Sequence, residues 1–408
     1  TTVNDTEIKT ALYTTTALNI TVVDSSDGSV DFTENSVTNK MSIVLSGDKK
    51  AVLLWDDFAV HSDDTIDFGT GEGVYLNKTS NTTDAKIFAG TITGHADATV
   101  IFVAPGGLQI NGPIANVKNF MVSTTDFGIN AADNAALVQD VSAAGYDIAN
   151  PTGGAVVLGT GANPTFSGKL RIISGGSVSF LAPVSANGGI TISSNNGALS
   201  TAANTLTTAG TLKINMGTGA VGTSVTAIKT AAATIDLTGT GEININNPNA
   251  DVIILGTGFG SGTLAKKIVA DKITVGAGTV LGRAFDDRAT TVVSTLELSG
   301  SSNIFITNTG SIALSDGSTT QASSTIDIGA VSGITVNSFD AGGTQGSSLV
   351  LNSGTGITSF GANPIVNVAN LTVTADAVVL GTAINKITAT GAVLLKPSTN
   401  STAINLGT

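Results

Sequence analysis

A short phrase repeats from about residue 155 to the end of this chain, and it limits the folds that the chain can adopt. Each copy is a short strand that alternates apolar and polar side chains and ends at Gly, Asn or Ser. Five of the seven intervals between eight copies have nearly the same length, about 22 residues, and strands at a fixed period of this size predict a β-solenoid. In such a fold each turn stacks on the previous one. The first apolar residues of the copies are Ile190, Leu212, Ile235, Ile273, Leu296, Ile326, Leu349 and Leu371.

The two longer intervals each contain another apolar strand. Residues 251–255 lie in the long interval before Ile273, and residues 303–307 lie in the long interval before Ile326. We therefore predict a further turn at 251–255 and a further strand at 303–307. Because successive side chains of a strand point to opposite faces, Ile, Leu and Val should fill the tube while Thr, Lys, Asp and Asn face outward. A narrow tube and an aromatic content of 4% predict few aromatic rings inside.

The composition narrows the possible partners. Of the 408 residues only 12% are charged, about half the usual fraction, so Thr, Ser, Asn and Gly must cover much of the surface. Such a surface suits packing against sugars or against copies of the same chain. The net charge of −12, the lack of a basic patch and the few aromatic residues argue against nucleic acid.

The residue types that are missing also carry information. Cysteine is absent, which excludes disulfides and thiolate metal sites and fits a bacterial exported protein. No stretch approaches the roughly 18 apolar residues of a membrane helix. Thr1 opens a polar run, which we interpret as a mature N-terminus. No cofactor is expected.

Three segments are predicted along the chain. Residues 1–50 alternate apolar and polar positions and should form a β cap, because the open end of a solenoid is an unpaired sheet edge. Residues 51–150 form the first part of the solenoid, in which 51–130 is the least repetitive sequence, and residues 151–408 continue it as regular turns. Within the middle segment, residues 131–146 are the best helix candidate and predict a short excursion from the stack.

A set of ordered motifs lies between residues 51 and 127. An apolar-Trp-x-x-Phe segment contains Trp55 and Phe58, and a polar turn and an aliphatic-x-Phe strand at 66–68 follow it. A further strand pair leads to the turn 104–107, with the sequence Ala-Pro-Gly-Gly. The Ser-Thr-x-Asp-aliphatic phrase at 123–127 comes last.

In their order and spacing over the segment 51–127, these motifs resemble the N-terminal secretion domain of two-partner-secretion exoproteins, the haemagglutination-activity domain of filamentous haemagglutinin and related adhesins. The matching positions are Trp55, Phe58, Pro105, Gly107 and Asp126. The family has Asn-Pro-Asn-Gly at the turn, of which this chain keeps the Pro and the final Gly, so a β-turn is expected. The resemblance implies a right-handed parallel β-helix, an outer-membrane secretion partner, export to the bacterial cell surface, and an adhesive or structural role.

Candidate catalytic residues are few. Asp286, Asp287 and Arg288 form the nearest match to the clustered carboxylates of β-helical polysaccharide enzymes, which would need a second carboxylate pair across a groove. The alternative interpretation is a solvated loop with an internal ion pair.

One more group of polar residues could bind a cation. Asp63 and Asp64 follow His61 closely, and carboxylate oxygens are the ligands that Ca²⁺ prefers. The alternative is a polar turn between strands. His95 lies in a predicted turn and is expected to be exposed.

Two functions from different classes remain. The leading one is an extracellular, non-catalytic surface protein that is adhesive or structural, with a cell-surface receptor, a glycan or its own copies as partner. The rival is a β-helical lyase or glycoside hydrolase. For self-assembly, the apolar positions Leu18, Ile20 and Val22 predict a donor strand that completes the open end of the next copy and builds a filament.

Overall fold

The structure of this chain is a computed structural model. It describes residues 2–399 apart from 4–9, 14–17, 36–37, 39, 56–57, 59, 70–71, 127–150, 163, 224, 256–257, 260–265, 277–278, 283, 285–287, 320–322, 342–345, 355, 362, 364 and 381–386. Every regular element in the described residues is a β-strand. Strands of successive turns pair in parallel, which confirms the prediction of an all-β solenoid. The chain divides into two compact units, Thr1–Gly219 and Ala220–Thr408.

The strands of the first unit include the long antiparallel strands at its start and the short parallel strands that follow. They are β1 (Thr2–Val3), β2 (Thr10–Tyr13), β3 (Leu18–Asn35), β4 (Lys40–Trp55), β5 (Thr65–Phe68), β6 (Val74–Thr79), β7 (Lys86–Phe88), β8 (Thr91–Gly94), β9 (Thr99–Val103), β10 (Leu108–Ile110), β11 (Ile114–Ala115), β12 (Asn119–Ser123), β13 (Val156–Leu158), β14 (Thr165–Phe166), β15 (Lys169–Ser174), β16 (Val178–Phe180), β17 (Val184–Ala186), β18 (Gly189–Ser194), β19 (Leu199–Ser200), β20 (Thr205–Thr207) and β21 (Thr211–Asn215).

The strands of the second unit are short and pair in parallel. They are β22 (Ile228–Ala231), β23 (Thr234–Thr238), β24 (Ile243–Asn246), β25 (Asp251–Leu255), β26 (Gly258–Phe259), β27 (Lys266–Val269), β28 (Lys272–Val275), β29 (Val280–Leu281), β30 (Ala289–Val292), β31 (Thr295–Ser301), β32 (Ile304–Asn308), β33 (Ile312–Thr319), β34 (Thr325–Ala330), β35 (Ile334–Val336), β36 (Phe339–Asp340), β37 (Ser348–Asn352), β38 (Ile357–Phe360), β39 (Ile365–Val368), β40 (Asn370–Thr374), β41 (Ala377–Val379), β42 (Ile387–Ala389) and β43 (Val393–Lys396).

The first unit begins with antiparallel strands. β3 and β4 form a long hairpin, and β1 and β2 pair with the other edge of β3. β4 then starts the parallel stack, since its first residues pair with β5 and its last residues pair with β6. The edge of the stack at β4 is therefore closed by antiparallel pairing, which blocks the addition of another strand there.

Three parallel stacks of strands build the turns of the first unit. The longest contains β4, β6, β9, β12, β15, β18 and β21. A second contains β7, β10, β13, β16 and β19. In the third, β5 pairs with β8 and β8 with β11, and further along β14 pairs with β17 and β17 with β20. The register advances by one turn from Leu170 to Ile190 and from Ile190 to Leu212.

An insertion leaves the register of the first unit unchanged. Phe120 pairs with Leu170, and Leu170 pairs with Ile190. The first of these two steps spans many more residues than the second. The extra residues fall at 127–150, and the helix predicted at 131–146 lies outside the described residues. The residues that flank the insertion meet, because the backbone N–H of Thr152 donates to the hydroxyl of Thr125 at 3.0 Å.

In the second unit one stack contains β23, β25, β28, β31, β33, β35, β38 and β41. Another contains β22, β24, β27, β30, β32, β34, β37, β40 and β43. A short third stack joins the end of β33 to β36, β39 and β42. Val252 pairs with both Ile235 and Ile273, which confirms the predicted turn at 251–255. The strand predicted at 303–307 is also present, as β32.

The repeated phrase does not mark a single stack of strands. Leu296 lies in the first stack, between Ile273 and Leu314. Ile326 and Leu349 follow the same phrase, but they lie in the stack that contains β34 and β37. A strand with the apolar-x-apolar pattern can lie in any wall of the tube. The period therefore indicates the length of a turn, but it does not indicate the wall in which a given copy lies.

The expectation of few aromatic rings inside is wrong for the first unit. Nine of the ten largest fully buried side chains among the described residues belong to it, and all nine are aromatic. Phe102 lies among them, with its ring centroid 5.2 Å from that of Phe58, 5.5 Å from Phe88 and 5.8 Å from Phe120. Facing sheets lie about 10 Å apart, and rings packed mostly edge to face at these spacings fill that gap.

Buried asparagines stabilise two short turns of the second unit. The amide of Asn247 donates to the Thr230 hydroxyl and to the Ala232 carbonyl, both at 2.8 Å. Asn308 has the equivalent position in the other short turn. Its side-chain carbonyl oxygen accepts a hydrogen bond from the Thr291 hydroxyl at 2.9 Å. Each amide provides partners for polar groups that the shortened turn would otherwise bury unpaired.

Replacing Phe102 with Ala should lower the free energy of unfolding by about 3–5 kcal/mol, because the cavity would remove contacts with several rings. The measurement is urea denaturation followed by circular dichroism. Ile87→Ala is the control, since Ile87 is 54% exposed, and it should change stability by less than about 0.5 kcal/mol. Equal effects of the two substitutions would contradict the aromatic core.

Asn247→Ala should destabilise the second unit by about 1–3 kcal/mol, because the Ala232 carbonyl and the Thr230 hydroxyl would stay buried without their present donor. The neighbouring Asn246 is exposed, so Asn246→Ala is the matched control and should be close to neutral. Differential scanning calorimetry of both variants tests this, and a neutral Asn247→Ala would show that the turn does not depend on the amide.

Candidate functional site

Two of the five motif residues lie in the core of the first unit. Trp55 and Phe58 are fully buried, and their ring centroids are 5.6 Å apart. The indole N–H of Trp55 donates to the side-chain oxygen of Asn77 on the next strand at 3.0 Å, which satisfies its only polar group. Both residues therefore act as core anchors, and neither can contact a partner directly.

The turn 104–107 has the hydrogen bond of a β-turn, which confirms the predicted geometry. The backbone N–H of Gly107 donates to the carbonyl of Ala104 at 2.9 Å. Gly107 has a φ of +116°, which L residues with a Cβ rarely adopt. Pro105 is buried within this turn. The retained Pro and Gly are thus explained by backbone geometry.

Asp126 lies on the outside of the first unit. It is exposed and forms an ion pair with Lys78, whose side chain is largely buried. Lys78 belongs to β6, two strands before β12 in the same stack. The five motif residues therefore lie at separate places, in the core, at a corner and on the outer face, and do not form one site.

The His61–Asp64 segment is a tight turn. Asp64 is 2% exposed, and its carboxylate accepts a hydrogen bond from the backbone N–H of His61 at 3.1 Å. The carbonyl of Asp64 accepts from Thr91 in the next turn at 2.8 Å. No group of three or more His, Asp or Glu among the described residues is arranged to hold a metal ion. The geometry favours the polar-turn interpretation. His95, predicted to be exposed, is 40% accessible at its side chain.

A candidate site among the described residues of the second unit is a cleft beside Arg288. It has a volume of about 510 Å³, and its lining includes Arg288, Thr307, Val331 and Asn352. Asp286 and Asp287, the predicted catalytic candidates, lie outside the described residues. Arg288 forms an ion pair with Asp327 and donates to the carbonyl of Ile306 at 2.7 Å. The guanidinium of Arg288 thus holds its segment against β32 and β34.

This cleft was not predicted from the sequence, although the glycine at position 329 is a signal that could have indicated it. Thr307, Gly329 and Asn352 are partners in adjacent strands and belong to one outward column. Gly329 leaves a gap in this column, and a Cβ added there would lie 3.4 Å from a guanidinium nitrogen of Arg288. Hydroxyl and amide groups beside the apolar Val331 can form the hydrogen bonds and contacts that a sugar requires.

The proposed donor strand is paired inside the chain. Ile20 of β3 pairs with Ala11 of β2 on one side and with Trp55 of β4 on the other. Val22 pairs with Leu53. Donation of Leu18, Ile20 and Val22 to another copy would therefore require the release of these pairings, and it stays a prediction.

Among the described residues of the second unit, two titratable groups have shifted pKa values. The pKa of Lys272 is raised, mainly by its hydrogen bond to Glu297, with which it forms an ion pair at 3.2 Å. The pKa of Asp376 is lowered, mainly because the Ser398 hydroxyl donates to its carboxylate. Both groups lie at the surface and connect successive turns, and neither faces the cleft beside Arg288.

Arg288→Met should lower the free energy of unfolding by about 3–5 kcal/mol, because it leaves the Asp327 carboxylate buried without its cation. The Asp327 side chain is only 6% exposed. Lys272→Met is the matched control, because that ion pair lies at the surface, and it should cost about 0–1 kcal/mol. Chemical denaturation of both variants provides the comparison, and equal losses would show that burial does not distinguish the two ion pairs.

Comparisons with known proteins give little further information. No family model matches the chain, and no curated protein matches it. Among solved structures, the chain is similar to the HMW1 secretion domain from Haemophilus influenzae, with 13% sequence identity over 92% of this chain and 99% of that chain, and a TM-score of 0.29. No helix of the described residues is long and apolar enough to cross a membrane. The assignment of the fold therefore rests on the strand pairing itself.

Proposed function

We propose that this chain is an extracellular, non-catalytic surface protein of the two-partner-secretion type, with an adhesive or structural role. The main support is the surface of its second unit. Thr290, Thr307, Gly329, Asn352 and Thr374 are partners in adjacent strands and form one outward column of uncharged residues, which continues to Lys267 at one end and to Lys396 at the other and has the Arg288 guanidinium beside Gly329. A ladder of hydroxyl and amide groups can bind a repeating polymer such as a polysaccharide, or the same ladder on another copy.

The motifs of the first unit support the same proposal. Trp55 of the Trp-x-x-Phe motif is the last residue of β4, where the parallel stack starts, and Phe58 packs against it in the core. The turn at 104–107 forms one corner of the stack and keeps the Pro and Gly of the resembled family. An outer-membrane secretion partner and a location at the bacterial cell surface belong to this proposal.

Self-assembly is a further part of the proposal. At β43, Val393 and Leu394 are 47% and 50% exposed. Exposed apolar side chains on a strand favour contact with a second strand. Because β3 is paired on both sides, we expect contact through β43 to require no change in the antiparallel strands, whereas strand donation requires release of β2.

The test is binding of the purified chain to a panel of neutral and acidic polysaccharides and to bacterial and epithelial cells. A variant with Thr290, Thr307, Asn352 and Thr374 all changed to Glu would place charge along the column. We expect the native chain to bind at least one glycan or cell surface, and the charged variant to lose about tenfold or more in affinity, because the inserted charges must be desolvated on contact. The matched control introduces the same number of Glu residues at exposed sites of the first unit, namely Ala85, Thr165, Asn187 and Thr207.

Two outcomes would overturn the proposal. One is a chain that binds none of these surfaces and does not associate with itself in electron micrographs. The other is cleavage of a polysaccharide that disappears in an Asp286→Ala/Asp287→Ala variant, which would establish the enzymatic alternative.

A further inference from the structure

The cleft beside Arg288 contains a glycine that the fold does not require. Gly329 lies within β34, which pairs in continuous register with β32 on one side and with β37 on the other. Its φ lies outside the left-handed region, so a residue with a Cβ could adopt the same backbone. A Cβ added there would lie 3.4 Å from Arg288 and 3.7 Å from the Thr307 hydroxyl, which are ordinary contacts. This glycine is therefore not explained by a bulge, a turn or crowding.

A second glycine of the same cleft shows the contrast. Gly354 has a φ of +46°, and a Cβ there would come within 2.9 Å of the carbonyl oxygen of Val331, so backbone geometry explains it. A glycine inside a strand weakens the strand, and it often marks a place where a ligand approaches the backbone closely. Gly329 fits this description, because it leaves a gap in the outward column between Thr307 and Asn352.

The two side chains that flank this gap have hydrogen-bonding groups available for a ligand. Thr307 and Asn352 are both exposed, and neither side chain forms a hydrogen bond in the part of the chain that the structure describes. By contrast, the amide oxygen of Asn370 in β40 accepts from a backbone N–H of the next turn at 3.1 Å. The flanking residues lie two strands apart, about 10 Å along the stack, so a single sugar ring between them can reach both.

The other walls of the cleft suit the remaining surfaces of a sugar ring. Val331 is 57% exposed and lines the cleft together with Ala330, which gives an apolar patch. A sugar ring combines a C–H face with a rim of hydroxyl groups, so it can contact this patch while its hydroxyls reach the polar groups. The volume of about 510 Å³ lies within the range of small-molecule sites.

The charge in the cleft is already compensated. Among the lining residues that the structure describes, Arg288 alone is charged, and it forms an ion pair with Asp327. An acidic sugar would compete with this buried carboxylate for the same guanidinium, which is costly. Lys267 and Lys396 each lie three strands from Gly329. That distance is about 14 Å, which exceeds the screening length of about 8 Å at physiological ionic strength.

We propose that the cleft beside Arg288 binds one residue of a neutral glycan, with the sugar ring lying over Gly329. The Thr307 hydroxyl and the Asn352 amide form hydrogen bonds with its hydroxyl groups, and Val331 contacts its C–H face. This inference rests on the proposed function, because it names the class of sugar and the place on the outward column where the sugar binds.

A panel of sugars tests the charge preference. The purified full chain is titrated by nuclear magnetic resonance with neutral disaccharides (maltose, cellobiose, lactose, mannobiose and chitobiose) and with the acidic sugars digalacturonic acid and sialyllactose. We expect at least one neutral disaccharide to bind, and every acidic sugar to bind at least about tenfold more weakly than the best neutral one, because of the competition with Asp327. Equal or tighter binding of an acidic sugar would overturn the inference.

Filling the gap tests the position of the sugar. Gly329→Val introduces a residue that favours strands, and it should lower the affinity for the best neutral disaccharide by about tenfold or more, because its side chain occupies the place of the ring. Gly310→Val is the matched control, since a Cβ at Gly310 meets nothing within 4 Å, and it should leave the affinity unchanged. An unchanged affinity in Gly329→Val would contradict the proposed position.

Two further variants keep the test decisive if Gly329→Val folds poorly. Thr307→Val and Asn352→Ala each remove one flanking polar group from an exposed position, and each should weaken binding about three- to tenfold through the loss of a hydrogen bond. Thr372→Val is their control, because Thr372 lies in the neighbouring outward column and does not line the cleft. Thermal unfolding of all variants checks that they are folded. Native affinity in both Thr307→Val and Asn352→Ala would overturn the inference.

The same measurements separate this inference from the proposed function. If the native chain binds a polysaccharide or cells and Gly329→Val binds them equally well, the proposed function stands and the cleft is not its sugar site. If the native chain binds no sugar, no polysaccharide and no cell surface, the inference is overturned together with the glycan-binding role on which it rests.

Discussion

The pairing of each turn with the next, strand for strand and in parallel, is the interaction on which the rest of the structure depends. A single turn has no core of its own, because its strands are too short to bury an apolar face alone. Stacking solves this by placing Leu170, Ile190 and Leu212 directly above one another inside the tube. The same register aligns the outward side chains into columns. Core and surface are thus both consequences of one hydrogen-bonding register, and a shift by one residue would exchange them.

The corners of the turns have a different requirement, since the backbone there leaves the sheet and its polar groups need partners. Small polar side chains supply them. The hydroxyl of Ser194 donates to the carbonyl of Gly176 at 2.8 Å and accepts from the N–H of Gly197 at 3.1 Å. Asn247 and Asn308 have this role in the two short turns of the second unit. The high content of Ser, Thr and Asn therefore stabilises the inside of the fold as well as covering its surface.

The two units use the outside of the sheet differently. In the first unit, outward positions such as Ile101 and Met121 are apolar and buried, and Asp126, which precedes the insertion, pairs with Lys78 on the same side of the sheet. In the second unit, the outward column through Thr307 and Asn352 is polar and accessible. One architecture thereby provides a buried apolar face in one unit and exposed polar side chains in the other. Because turns contact only their neighbours, each face can vary without changing the register of the tube.

The sequence by itself determined the solenoid, the length of its turns and the hidden turn at Asp251–Leu255, because alternating apolar residues at a fixed period leave few other ways to bury them. It also indicated the turn at Pro105 and Gly107, where local backbone geometry decides the residue type. Only the tertiary structure decided which wall each phrase occupies, since Leu296 and Ile326 follow one pattern but lie in different stacks. The aromatic core around Phe102 and the pairing of Arg288 with Asp327 likewise depend on contacts between residues far apart in sequence. The periodicity of the sequence predicts which side of a strand is buried, but it does not predict which residues of other strands pack against that side.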